Sequence, residues 1–203
     1  HPIPRRQRQM CIRDRYKHLI DYEKALEITN DDGSTDQMPV YWDLRFGNLC
    51  NLKCVMCGPQ SSSMWYKDWA HMYDTDHFED SGEKIFFKDK GVDSNVYDWY
   101  TSSNFWEQME KNIDQLEHIY LVGGEPMLIE QHYVFLQKLI DKGVSKNVTL
   151  EYDTNITNVH QRAIDQWSKF KTLMLRVSID DYGEQNDYIR FPSKWHKIDE
   201  NIQ

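Results

Sequence analysis

Apolar and polar residues follow two periodicities along this chain, and together they predict an alternation of strands and helices. Alternating β-branched and aromatic residues indicate strands, whereas apolar residues three and four positions apart indicate helices. The predicted strands cover residues 40–46, 118–122, 148–154 and 172–180. The predicted helices cover residues 16–29, 64–73, 105–116, 127–143 and 159–170. This alternation predicts an α/β fold with parallel strands joined by right-handed crossovers.

Two segments depart from the alternation and define the expected domain organisation. Residues 73–105 are polar, acidic and aromatic without a steady period, so we interpret them as an irregular insertion with one short strand near residues 84–87. Residues 1–17 hold six Lys or Arg and one Asp. We interpret them as a disordered basic tail or a sequence foreign to the fold, in preference to a binding arm. Residues 18–39 are then an N-terminal helix and loop, and residues 40–203 form the main domain.

The distribution of charged and apolar residues argues against two kinds of binding partner, nucleic acid and the membrane interior. The net charge is −9, and because residues 1–17 carry +5, the remaining 186 residues carry −14. An acidic body repels phosphate backbones, so we expect no nucleic-acid partner. No apolar stretch approaches the roughly 20 residues that a membrane helix needs, so we expect no membrane span either.

Three of the four cysteines lie together as Cys50, Cys54 and Cys57, in the pattern C-x3-C-x2-C directly after the first predicted strand. A secreted disulfide framework would spread an even set of cysteines along the chain, so we expect a reducing, cytoplasmic location. Thiolates also ligate iron–sulfur clusters, and three of them leave one iron of a cubane uncoordinated by protein. An open metal position of that kind is what a catalytic site requires.

Two other uses of these cysteines stay open. A structural zinc site needs four protein ligands, and the spare candidates, Cys11, His71 and His77, lack the usual spacing. A redox C-x-x-C formed by the second and third cysteines would leave Cys50 without a function.

The remaining chemistry-bearing residues also follow predicted strands. Gly123 to Pro126, the sequence GGEP, follows the second strand, where two glycines allow a tight turn or a close backbone approach to a ligand. Asn155 ends the third strand and is also a common turn residue. Ser178 ends the fourth, and Arg190 lies on the loop beyond it, where it is either a surface residue or a fork for a carboxylate. Parallel strands collect their chemistry at these ends.

The sequence CNLKCVMC, with GGEP and SIDDYGEQNDYIR behind it in the expected order, resembles the radical S-adenosylmethionine (radical SAM) enzymes, notably those with twitch or SPASM extensions. The resemblance covers about residues 40–203. It implies a partial (βα) TIM-like barrel with about four of six βα units present, and therefore a C-terminally truncated fragment. It also implies a [4Fe–4S] cluster bound by the three clustered cysteines.

The resemblance assigns the other residues to S-adenosylmethionine (SAM). Gly123, Gly124, Glu125 and Pro126 would meet the methionine amino group, with the glutamate accepting a hydrogen bond from the ammonium. The remaining predicted SAM contacts are Asn155, Ser178 at the ribose, Arg190 at the carboxylate and Met56 near the adenine. This sequence departs from the family at Met56, where an aromatic residue is usual, although a thioether can make a similar soft contact.

The resemblance implies reductive cleavage of SAM to a 5′-deoxyadenosyl radical that abstracts hydrogen from a substrate. A flavodoxin or ferredoxin is the expected reductant, and a peptide is the first substrate class to consider, beside sugars and small metabolites. Two other functions remain as alternatives: a non-catalytic zinc or iron–sulfur module, and an electron carrier that uses its cluster without SAM. No residue stands out as a substrate acid or base.

Overall fold

The computed structural model describes residues 22–73 and 99–203. The strands in these ranges are β1 (Tyr41–Leu44), β2 (Lys53–Cys54), β3 (His118–Leu121), β4 (Thr149–Thr154), β5 (Thr172–Val177) and β6 (Arg190–Phe191). The α-helices in the same ranges are α1 (Tyr22–Glu27), α2 (Tyr66–Tyr73), α3 (Ser103–Asn112), α4 (Glu130–Asp141), α5 (Gln161–Trp167), α6 (Glu184–Ile189) and α7 (Trp195–Ile202).

Four of the strands form one parallel sheet in the order β1-β3-β4-β5. All four had been predicted from the alternation of apolar residues, and the parallel pairing confirms the expected α/β class. The described strands form an open sheet, so the structure shows a partial βα fold and not the TIM-like barrel that the family resemblance implies.

One face of the sheet is apolar and carries the hydrophobic core. Ile119 and Leu150 lie on this face and are fully buried, in one cluster with Phe135, Leu136 and Leu139 of α4. Helices α3 and α5 contribute further members of the same cluster. Because burying an apolar side chain of this size contributes about 1.5–3 kcal/mol, this face is the main source of stability.

The opposite face of the sheet is polar. Tyr120 lies in register with Glu151, and Asp153 in register with Arg176, while Asp43 of β1 lies in register with Tyr120. We call these five side chains the polar face. Parallel strands are usually apolar on both sides because helices cover both, so this composition is unusual.

Several element boundaries differ from the prediction. The predicted helix at residues 16–29 is α1 within the described residues, and its first part lies outside them. The structure of residues 74–98, including the expected strand near 84–87, also lies outside the described residues. The predicted helix at residues 105–116 begins two residues earlier, because α3 starts at Ser103. No helix in the described ranges is long and apolar enough to cross a membrane.

The long helix predicted at residues 127–143 is divided in two. A 3-10 turn occupies Pro126–Leu128, and α4 begins only at Glu130. The division arises because the side chain of Glu125 accepts the N–H of Met127 and caps the turn before α4 starts. Gly143 follows the helix end with φ of +76°, the left-handed conformation that glycine commonly adopts after a helix C-terminus.

Candidate functional site

The three-cysteine loop leaves the sheet after β1 and is fixed by a second, two-stranded sheet. Strands β2 and β6 each have two residues and pair antiparallel, with Cys54 opposite Arg190. The side chain of Ser62 donates to the carbonyl of Leu52 at 2.6 Å, and the indole of Trp65 donates to the carbonyl of Cys54 at 3.2 Å. The loop therefore has a defined path, although β2 and β6 are too short to show any periodicity in the sequence.

The double-glycine bend after β3 packs directly against this loop. A Cβ at Gly124 would lie 2.3 Å from the carbonyl oxygen of Leu49, and a Cβ at Gly123 would lie 2.9 Å from that of Gly47. Both glycines have positive φ, +92° and +58° in chain order. The backbone N–H of Glu125 also donates to the Leu49 carbonyl at 2.8 Å. Only glycine fits here, because a side chain would force the bend and the cysteine loop apart.

Glu125 connects the ends of β3 and β4. Its carboxylate accepts from the hydroxyl of Thr154 at 2.8 Å and from the backbone N–H groups of Asn155 at 2.7 Å and Met127 at 3.3 Å. The side chain is buried, and this burial raises the pKa of the carboxyl above its usual range. These three donors fix the carboxylate in place, and through them Glu125 holds the ends of β3 and β4 together.

Asn155 links the end of β4 to the cysteine loop. Its side-chain Nδ2 donates to Asn51 Oδ1 at 3.0 Å and lies 4.0 Å from the sulfur of Cys50. Its Oδ1 accepts both the backbone N–H and the hydroxyl of Thr157 at 2.9 and 2.7 Å. This is also the Asn turn that the sequence allowed, so the same residue forms a turn and faces a predicted metal ligand.

Arg190 faces the second cysteine. Its Nη1 lies 3.7 Å from the sulfur of Cys54, and its Nε lies 2.7 Å from Asp180 Oδ2. The Nε–H is not aligned on that carboxylate, so the contact is an ion pair without a hydrogen bond. Ser178 continues the ladder beyond β5 by donating its backbone N–H to the carbonyl of Thr154 at 2.8 Å.

The three thiols shift one another's pKa values. A hydrogen bond with Cys54 lowers the pKa of the Cys57 thiol to about 7, and the charge of Arg190 acts in the same direction. The same hydrogen bond, followed by burial, raises the pKa of Cys54. Burial raises the pKa of Cys50, with smaller contributions from the charges of Glu125 and Cys57. The thiols and the GGEP carboxylate thus belong to one electrostatic site.

The donor set can be compared with the two metal groups that the sequence suggested. Among the described residues, no three His, Cys, Asp or Glu side chains surround a point where a single metal ion could be held. A zinc ion requires such convergence. In a cubane each thiolate binds a different iron, so three neighbouring sulfurs on one loop with N–H groups facing two of them fit a cluster better.

Other predicted residues occupy the edges of this site. Met56 is 55% exposed on the loop between the second and third cysteines. Pro126 is buried at the start of the 3-10 turn. Sequence reasoning missed Asn51, Thr154 and Asp180, which position the predicted residues. Thr154 and Asp180 are the last residues of predicted strands, which was their available signal, whereas Asn51 lies between two cysteines of the loop, where no pattern marks it.

A cavity of about 470 Å³ lies beside the cysteine loop. Its described lining includes Asn48 and Leu49 before the first cysteine and Leu128 and Ile129 after GGEP. None of the predicted site residues is among those lining residues, so the cavity borders the site without forming it.

Comparisons with known proteins add little to this description. No protein-family model matches the chain, and no curated protein matches it. Among solved structures, the chain is similar to Streptococcus suis SuiB, solved bound to the precursor peptide SuiA, with a TM-score of 0.47 and 12% identity. The match covers 95% of this chain and 43% of SuiB, so the chain spans less than half of that protein. At such a TM-score, nothing about the chemistry of this chain follows from the likeness.

Proposed function

We propose that this chain is the cluster-binding and SAM-binding part of a radical SAM enzyme. The observation that supports it most directly is the packing of Gly124 against the Leu49 carbonyl, at a distance that leaves no room for a side chain. This contact brings the three-cysteine loop and the double-glycine bend to one place, although about 70 residues separate them in the sequence. Loops after neighbouring parallel strands lie near each other in any such sheet, so the support comes from the backbone approach that excludes a Cβ at Gly124 and not from proximity alone.

In this proposal Cys50, Cys54 and Cys57 are the ligands of a [4Fe–4S] cluster, and one iron stays open for SAM. When bound and reduced, this pair of cofactors supplies a 5′-deoxyadenosyl radical that removes hydrogen from a substrate. The Asn155 amide and the Arg190 guanidinium face two of the sulfurs, and such N–H groups stabilise negative charge on a thiolate.

The remaining residues bind and orient SAM. The glycine bend offers backbone oxygens without an intervening Cβ, which suits the amino group of SAM. Glu125 Oε1 already accepts two hydrogen bonds and Oε2 accepts one, so Oε2 keeps one acceptor position for that group. Ser178 lies at the end of β5 for a ribose contact, and Met56 lies exposed for an adenine contact.

Arg190 is proposed to act at both cofactors. Its Nη1 faces the Cys54 sulfur, while its Nε–H is buried without a hydrogen bond among the described residues. A SAM carboxylate could accept that donor, in competition with the Asp180 carboxylate beside it. A flavodoxin or ferredoxin as reductant and a peptide as substrate complete the proposal.

The decisive experiment is anaerobic reconstitution of the purified chain with iron and sulfide. We expect about four irons per chain, a spectrum that changes when SAM is added, and 5′-deoxyadenosine after reduction. Replacing any one of Cys50, Cys54 and Cys57 with serine should prevent stable cluster binding. The matched control is Cys11→Ser, which removes the fourth cysteine and should leave the iron content unchanged.

Three results would overturn the proposal. They are zinc bound in place of iron, iron content that is independent of the three clustered cysteines, and a cluster whose spectrum does not respond to SAM. The first result would favour a non-catalytic zinc module, and the last an electron carrier.

A further inference from the structure

The polar face of the sheet contains a side-chain network that the cofactor site does not use. Arg176 Nε donates to Asp153 Oδ1 at 2.5 Å, and its Nη1 lies 3.0 Å from Glu151 Oε1. The guanidinium carbon lies 4.6 Å from the ring centroid of Tyr120, whose hydroxyl donates to the second oxygen of Asp153. Two carboxylates and one aromatic ring therefore hold this arginine in a single orientation.

This orientation leaves part of the guanidinium available. Within the described residues, Arg176 Nη2 makes no hydrogen bond, and the side chain is 36% exposed. Because Nε and Nη1 face the two carboxylates, Nη2 is the donor that a ligand can reach, and its fixed orientation costs little entropy when a ligand binds. Ion pairs of this kind are weak evidence for stability, so stability alone gives little reason for the network.

The local charge restricts which ligand can bind. Glu151 and Asp153 together carry two negative charges against the single permanent positive charge of Arg176, and the buried imidazole of His118 lies 2.8 Å from Glu151 Oε2 on the same face. Asp43 of β1 and Arg45 just after that strand lie 3.6 Å apart and cancel each other. An anionic ligand would therefore meet a negative surplus, whereas a neutral oxygen acceptor can take the free N–H groups without repulsion.

The location connects this network to the cofactor site. Asp153 and Arg176 each lie one residue before the last residue of their strands, β4 and β5. Two residues beyond Asp153, Asn155 faces the sulfur of Cys50. The carboxyl ends of parallel strands are where ligands bind in α/β folds, so a group held by Arg176 lies just below the proposed cofactors.

We propose that Arg176 is a substrate-binding residue that recognises a neutral amide, either a peptide bond or a side-chain carboxamide. Arg176 Nη2 donates to the amide oxygen, and Asp153 and Glu151 hold the guanidinium and exclude carboxylate ligands. Met174, which is 40% exposed and in register with Glu151, offers the adjacent apolar surface. The identification of this ligand as the substrate rests on the proposed function. The binding of an amide by Arg176 does not depend on it.

Binding can be measured by NMR on the full 203-residue chain with ¹³C-methyl methionine, without cluster or SAM. The probes are N-methylacetamide for a peptide bond, acetamide for a carboxamide, and sodium acetate of the same size for an anion. We expect one or both amides to shift the Met174 methyl resonance, assigned with Met174→Leu, at lower concentration than acetate does. Met64, with a similar 39% exposure, is the internal control and should not shift.

Variants separate recognition by Arg176 from general binding. Arg176→Lys keeps the charge but loses the fixed fork, and should weaken amide binding by about tenfold or more, as expected for losing one hydrogen bond from a charged donor. Arg162→Lys is the matched control, because Arg162 also pairs with a carboxylate, Glu130 at 2.8 Å, and lies 4.5 Å from the ring centroid of Tyr133. This control should leave amide binding unchanged.

A second variant covers the case in which Arg176→Lys fails to fold. Asp153→Asn keeps one acceptor oxygen for Arg176, replaces the oxygen that accepts from Tyr120 with an amide NH₂, and removes one negative charge, so it should strengthen acetate binding relative to the amides. A shift with N-methylacetamide alone assigns a peptide bond, and one with acetamide alone assigns a carboxamide. No Met174 shift with either amide, acetate binding more tightly than both, or amide binding unchanged in Arg176→Lys would overturn the proposal. Iron and SAM binding would be unaffected by any of these results.

Discussion

At the scale of single residues, the structure explains why both positions at the start of GGEP are glycine. In the sequence, Gly123 and Gly124 were compatible with an ordinary tight turn as well as with a ligand contact. In the structure both residues have positive φ, which by itself favours glycine at each position. At Gly124 the close approach of the Leu49 carbonyl is a second reason, because it leaves no room for a Cβ. A residue with two independent constraints is the position most sensitive to substitution.

We therefore expect Gly124→Ala to destabilise the fold by about 3 kcal/mol, since it combines an unfavourable φ with a backbone clash. Urea unfolding monitored by circular dichroism measures this loss. Gly143→Ala is the matched control, because its φ is also positive but no atom lies within 4 Å of the new Cβ. That control should cost only about 1 kcal/mol. Equal losses in the two variants would mean that the bend and the cysteine loop can separate freely.

A second residue-scale consequence concerns Arg190, which faces the Cys54 sulfur, and Asp180, whose opposite charge lies beside Arg190. If the cluster binds as proposed, Arg190→Gln removes a positive charge and should lower its midpoint potential by on the order of 50–100 mV. Asp180→Asn removes a negative charge and should raise it. EPR-monitored redox titration of the reconstituted protein measures both. Shifts of the same sign in the two variants would show that the charges do not act on the cluster directly.

At the scale of elements, helix α4 and strand β4 are joined by a buried polar contact inside an otherwise apolar core. His132 Nε2 lies 2.6 Å from the hydroxyl of Tyr152, which also accepts the indole N–H of Trp167 at 3.2 Å. Burial lowers the pKa of His132 to about 3, from an ordinary value near 6.5. The folded state therefore keeps this imidazole neutral over a range where the unfolded chain protonates it.

The resulting pH dependence has a definite sign. Below about pH 6.5 the unfolded state binds a proton that the folded state excludes, so stability falls as the pH decreases towards 3. Between pH 7 and pH 5 this residue should account for a loss of about 2 kcal/mol. Urea unfolding at the two pH values should show that loss reduced in His132→Gln by comparison with the native chain. The exposed His160, replaced in the same way, should leave the pH dependence unchanged.

The elements also show where sequence patterns succeed. The four strands of the sheet were predicted because each has at least four residues and one apolar side, which produces a visible alternation. Strands β2 and β6 have two residues each, and so carry no period. The split of the predicted helix at Ile129 was missed because the apolar spacing continues through it, while the capping by Glu125 depends on its side-chain geometry.

At the scale of the whole molecule, the parallel sheet gathers residues from distant parts of the chain. The loops after β1, β3 and β4 meet at one edge, and the segment after β5 returns through β6 to pair with the cysteine loop. Every predicted site residue from Cys50 to Arg190 lies in one of these segments. A sequence that places its unusual residues after successive strands therefore also specifies that they lie near one another, because parallel strands point their carboxyl ends the same way.

The sequence by itself determined the α/β class, the four parallel strands and the candidate residues at their ends. These features depend on local periodicity and on spacing along the chain, and both can be read directly from the linear sequence. Only the tertiary structure decided that Gly124 contacts Leu49, that Arg190 faces Cys54, and that Arg176 contacts two carboxylates through Nε and Nη1. Such contacts depend on strand register and loop path, which are set by packing among residues far apart in the chain and leave no local pattern.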